Sequence, residues 1–201
     1  QFNKKQITKE QLFRKLELDP DKKLAVIYPH MFWDGTFFWG HDLFPTYQEW
    51  FAQTLLAAAG NSRINWIIKI HPANVVKANR DGVPPPKSEQ DIVAEVLGPL
   101  PENFKMLDAS SQISTLSLHL AAAYCVTVRG TVGIEAACFG VTVLTAGTGR
   151  YDQKGFTVDS ETTEEYLKKI RHIHEVAPIG SERVKAAQIY AYGTFLSRIL
   201  K

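Results

Sequence analysis

Apolar residues in this chain fall into short unbroken runs separated by longer stretches in which they recur every three or four positions. The runs at 24–28, 65–70, 104–107, 126–128 and 141–145, with a shorter one at 155–158, are too short for helices and rich in Val, Ile and Thr. They predict strands, and their lack of polar alternation predicts strands buried on both faces of a sheet. Between them, periodic stretches predict helices over 47–59, 88–97, 113–122, 162–173 and 181–200, with Ser88 and Ser181 as caps. The spacing Thr8-Lys9-Glu10-Gln11 is that of a capping box and predicts a short helix ahead of Asp19-Pro20-Asp21. Strands alternating with helices imply an α/β fold, a doubly wound and mainly parallel sheet with helices on both faces. Residues 1–19 form a lead-in and 20–201 the domain.

The unit from Tyr124 to Gly147 organises the rest. A β-branched run turns at Arg129-Gly130-Thr131, continues through small helix formers to Gly140, and closes in a second β-branched run. Parallel sheets bind ligands where strand carboxyl ends meet helix N-termini, so this turn is the first candidate site. Thr131 is expected to cap the helix, and Gly130 lets a ligand approach the backbone, leaving free N–H groups aimed at an anion such as phosphate. Glu135 is the sole formal charge between Arg129 and Arg150. Either it complements the helix dipole, or it accepts hydrogen bonds from a ribose diol.

Composition narrows the class. In 201 residues, 45% apolar and 22% charged content describes an ordinary globular protein, and a net charge of +2 speaks against a nucleic-acid partner. Cys125 and Cys138 lie in apolar surroundings and read as buried thiols, which suits a reducing, cytoplasmic compartment. No apolar run reaches the length of a membrane span. The chain opens with Gln1, as expected of a piece of something longer.

Other candidates follow strands. His71-Pro72 ends the second run, where proline holds the histidine extended; it donates to a phosphate oxygen or is satisfied by a loop carbonyl. The segment 30–44 combines six aromatics with His30, Asp34, Gly35, His41 and Asp42. It is read either as a loop folded over apolar surface or as one facing a donor sugar or another domain. Its spacing does not support a metal site. Ser110, Ser111 and Thr115 are caps or ligand contacts. Gly147-Thr148-Gly149-Arg150-Tyr151 is a glycine-rich loop at a strand end, of the kind that cradles phosphate or a base. The stretch 79–87, with three consecutive prolines, predicts an exposed excursion.

The order of elements, with IIKIHPAN at 67–74 and RGTVGIEAACFGVTVLTAG at 129–147, resembles the C-terminal, donor-binding, Rossmann-like half of GT-B glycosyltransferases. More narrowly, it resembles the bacterial capsule polysaccharide biosynthesis family, which is similar to Kdo transferases and bacterial sialyltransferases. The resemblance covers roughly residues 20 to 200. It implies a nucleotide-sugar donor as substrate, with His71 and Thr131 on phosphate, Glu135 on ribose, and no metal or other cofactor. Arg129 stands where relatives commonly carry Ser or Thr, and it would neutralise phosphate or pair with a carboxylate. The resemblance also implies a saccharide acceptor held by an N-terminal domain outside this chain, a full-length protein peripheral to the membrane, and an isolated chain without transfer activity. The catalytic base is not identifiable. A UDP-sugar 2-epimerase-like domain and a non-catalytic nucleotide-binding module are the alternatives.

Overall fold

In a computed structural model, residues 4–32, 41–71 and 87–197 are described. The elements run α1 (Lys9–Lys15), β1 (Lys23–Ile27), α2 (Tyr47–Ala59), β2 (Ile64–Lys69), α3 (Glu89–Leu97), β3 (Phe104–Leu107), α4 (Thr115–Ala121), β4 (Tyr124–Thr127), α5 (Val132–Cys138), β5 (Thr142–Thr145), β6 (Thr157–Val158), α6 (Thr163–Arg171) and α7 (Ser181–Ala191). A 3-10 turn, Ile173–Glu175, follows α6, and a π-helical stretch, Tyr192–Ser197, continues α7. Among the described residues no helix is long and apolar enough to cross a membrane.

The six strands form one parallel sheet in the order β3-β2-β1-β4-β5-β6. Successive residues of each strand feed opposite faces. Ala25, Ile27, Trp66, Ile68 and Val126 pack with α2, α3 and α6 on one side, whereas Leu24, Val26, Ile67 and Cys125 pack with α1, α4, α5 and α7 on the other. Both faces are therefore apolar, which is why the strands read as continuous runs. This is the expected doubly wound, Rossmann-like architecture. The lead-in belongs to it, since Leu12 and Phe13 are buried and Lys5 bridges to Ile113 ahead of α4.

The capping box at Thr8 forms as expected, and Ser88 makes a second one with Asp91. Ser181 does not cap. Gly180 holds the cap position, so Ser181 already lies inside α7. The expected excursion at 79–87 lies outside the described residues apart from Lys87. Cys125 and Cys138 are free thiols.

Strand order fixes where a site can form. The chain builds outward from β1 to β3, then returns to lay β4 against the other edge of β1. The connections after β1 and β4 therefore leave in opposite directions and open a crevice at their carboxyl ends.

Candidate functional site

Two chain segments leave the sheet at this switch point, Tyr28-Pro29-His30 after β1 and Val128-Arg129-Gly130 after β4. The His30 ring crosses between them, and its Nε2 accepts the Arg129 backbone N–H at 3.1 Å. The ring stacks on Tyr47 at 4.5 Å and 13°, with Trp50 edge-on. Burial, reinforced by the charges of Arg129 and His71, pushes the His30 pKa down to about 3. His30 is therefore a neutral acceptor at physiological pH, with its remaining proton on Nδ1.

The Arg129 guanidinium is buried, lies 5.9 Å from the Tyr47 ring centre and pairs with the Asp42 carboxylate. Asp42 is held there by the glycine-rich loop, through an antiparallel bridge to Gly147 and through Thr148, whose N–H and hydroxyl both donate to the His41 carbonyl at 2.9 and 3.1 Å. The glycines make this approach possible. A Cβ on Gly147 would lie 3.3 Å from both Asp42 Oδ1 and the His41 carbonyl, and one on Gly149 would lie 2.8 Å from Arg129 Cβ. Among the described residues, these glycines admit neighbouring protein against Arg129.

Thr131 is the first point of correction. It has helical dihedrals, φ −56° and ψ −23°, and makes no side-chain cap bond. A capping hydroxyl reaches back over the first amides only from an extended backbone, so the hydroxyl of Thr131 stays exposed at the mouth of the turn. The turn is braced from beneath. Tyr151 is fully buried, donates to the Gly130 carbonyl at 2.7 Å, and lies so close to Gly133 that no side chain fits there. Tyr151 supports the turn from below and does not line the loop surface.

The remaining candidates separate. His71 is exposed at the end of β2, one strand away from the switch point, and its charge bears on His30. His41 contributes its backbone carbonyl. Asp34 and Gly35 lie outside the described residues. Glu135 is half exposed on α5, and its Oε2 lies 3.9 Å from the buried Nε2 of His119 on α4. Among the described residues no three His, Cys, Asp or Glu side chains gather as metal ligands.

The structure thus unites Arg129, Gly130, Gly147 and Gly149 with His30, Asp42 and Tyr47, three partners to which the sequence reading assigned no such role. His30 carried a usable signal, since it follows a strand and a proline just as His71 ends one. His119 carried none, being one of three polar residues, with Thr115 and Ser117, that alternate with leucines in a short helix.

No protein-family model matches the sequence, and no curated protein matches it. Solved structures do. Sucrose-phosphate synthase from Thermosynechococcus elongatus superposes with a TM-score of 0.56 at 15% identity, over 97% of this chain and 50% of that one. The UDP-GlcNAc 2-epimerase of Neisseria meningitidis bound to UDP-GlcNAc gives 0.54 at 15% identity, over 90% and 42%. The fold is GT-B-like. The wall teichoic acid polymerase TagF is a further neighbour, at 0.51 and 9% identity over 94% and 42%. The GT-B-like domain spans half or less of the length of these three proteins. At such low identity the likeness speaks for the fold, and the chemistry of this GT-B-like domain must be argued from its own residues.

Proposed function

We propose that the chain is the donor-nucleotide-binding domain of a GT-B glycosyltransferase in bacterial capsule or surface polysaccharide biosynthesis, with the anionic part of the nucleotide sugar at the switch point between β1 and β4. The observation that carries this is the buried Arg129 guanidinium at the carboxyl ends of the two central strands, beside the open Gly130-Thr131 turn. A buried cation there demands an anion, and Asp42 occupies the role a phosphate oxygen would take. His71 follows β2 and Thr131 follows β4, so each comes after the carboxyl end of its strand. The capsule assignment is supported by the two sequence blocks at 67–74 and 129–147.

Phosphate departure from a sugar is helped by positive charge, which Arg129 would supply on exchanging Asp42 for phosphate. The acceptor and the base that activates it belong to a second domain in this reading, so the chain alone binds the donor without transferring it. Calorimetric titration with CMP, UDP and GDP tests the core of the proposal. One of them should bind, and His71→Ala should weaken it roughly ten- to a hundredfold, the effect of losing one charge-assisted hydrogen bond worth about 1.5–3 kcal/mol. Binding of none of the three removes the assignment.

The fold likeness to the Neisseria 2-epimerase supports a second reading, a UDP-sugar 2-epimerase-like domain. Selective binding of uridine forms, with inversion at C2 of a bound UDP-sugar, would favour it over sugar transfer.

A further inference from the structure

An open cavity of about 390 Å³ lies between α4 and α5, lined also by Lys4 and by Phe195 of the π-helical stretch. It has the size of a small-molecule site. Phe139 and Phe195 supply ring faces, and His119 and Glu135 supply polar atoms. The His119 side chain is 3% exposed, stacks on Phe139 with 15° between the rings, and has a buried Nε2 without a hydrogen-bond partner. Glu135 Oε2, at 3.9 Å, is too far to be that partner. A buried imidazole nitrogen left unsatisfied is costly, and here its residue lines a roomy, partly polar cavity.

The chemistry of the occupant follows. An anion at this point is repelled by the Glu135 carboxylate. A metal is disfavoured, because no group of three ligating side chains gathers among the described residues. A hydroxyl group donates and accepts at once, so it can donate its one proton to Glu135 and accept from His119 when Nε2 carries the imidazole proton. An oxygen about 2.8–3.0 Å from each atom bridges a 3.9 Å gap without strain. Glu135 also lies one helical turn from Thr131, on the same side of α5.

We propose that His119 is a specificity-determining residue of this site. Its Nε2 hydrogen-bonds a hydroxyl of the same ribose that Glu135 engages, and so selects a ribonucleotide over its deoxy counterparts. The proposal rests on the nucleotide-binding reading above. A site built to bond a hydroxyl rejects the analogue that lacks it, because its own polar groups are left unpaired.

Calorimetry with CMP, UDP and GDP and with their 2′-deoxy and 3′-deoxy forms provides the test. The wild-type chain should bind at least one deoxy form about tenfold more weakly than the parent. His119→Phe should bind parent and deoxy forms alike, His119→Gln should retain the preference, and Arg129→Ala should weaken all forms while leaving their ratio intact. Independently of any variant's folding, the imidazole nitrogen resonances of wild-type His119 should shift with the parent nucleotide and not with the rejected deoxy form. Equal binding of all forms by the wild type, an unaltered ratio in folded His119→Phe, or unmoved His119 resonances overturns the proposal while leaving nucleotide binding in place. Binding of no nucleotide overturns both.

Discussion

His30 shows how one side chain joins two halves of a sheet. Its ring accepts a backbone N–H from the segment after β4 while stacking on α2, so protonation would break the contact between β1 and β4 at its outer end. The folded-state pKa, about 3, lies below the ordinary value of 6.5. Between these limits the unfolded chain binds a proton that the folded chain refuses, so this residue's contribution is intact above about pH 6.5 and is lost as the pH falls toward 3. Urea unfolding between pH 7 and pH 4 should therefore show a shallower loss of stability in His30→Gln than in the wild type, by up to about 1.4 kcal/mol per pH unit. Equal slopes would show that His30 protonates freely in the folded protein. The position of His30 after a strand was legible in the sequence. Its contact with Arg129 was not, because that contact exists only once β4 has been laid beside β1.

At the scale of elements, two helix starts that look alike in the sequence behave differently. Ser88 has an extended backbone, and its hydroxyl accepts from the Asp91 N–H at 3.2 Å while the Asp91 carboxylate accepts the Ser88 N–H at 2.8 Å. Thr131 enters α5 already helical, and its hydroxyl makes no cap bond. Ser88→Ala should cost about 1 kcal/mol of unfolding free energy, the usual loss at a cap. Thr131→Ala should cost less than about 0.5 kcal/mol, as an exposed hydroxyl without a cap bond does. Denaturant titration of the two variants compares them directly. A loss at Thr131 as large as that at Ser88 would mean that the threonine does cap in solution. The glycine-rich loop after β5 teaches a related lesson. Its glycines were legible as a place of close approach, but what approaches is Asp42 and Arg129 of the same chain.

For the whole molecule, both faces of the sheet are covered by helices, and the candidate site lies where the order of strands reverses. A ligand that binds only the folded domain should raise its thermal midpoint, by the equivalent of about 2.7 kcal/mol at a hundred times the dissociation constant. Thermal scans with CMP, UDP and GDP should single out one nucleotide, and Arg129→Ala should diminish its shift. A shift that is undiminished in that variant would place the ligand elsewhere. Strand and helix positions and the parallel sheet were legible in the sequence, because they rest on local properties: β-branched runs, helical periodicity and punctuating glycine and proline. The tertiary structure alone decided that Asp42 meets Arg129, that Tyr151 is a buried brace and that His119 faces Glu135 across a cavity. Each of these depends on which segments the strand order brings side by side, and pairing between distant segments leaves no periodic trace in the chain.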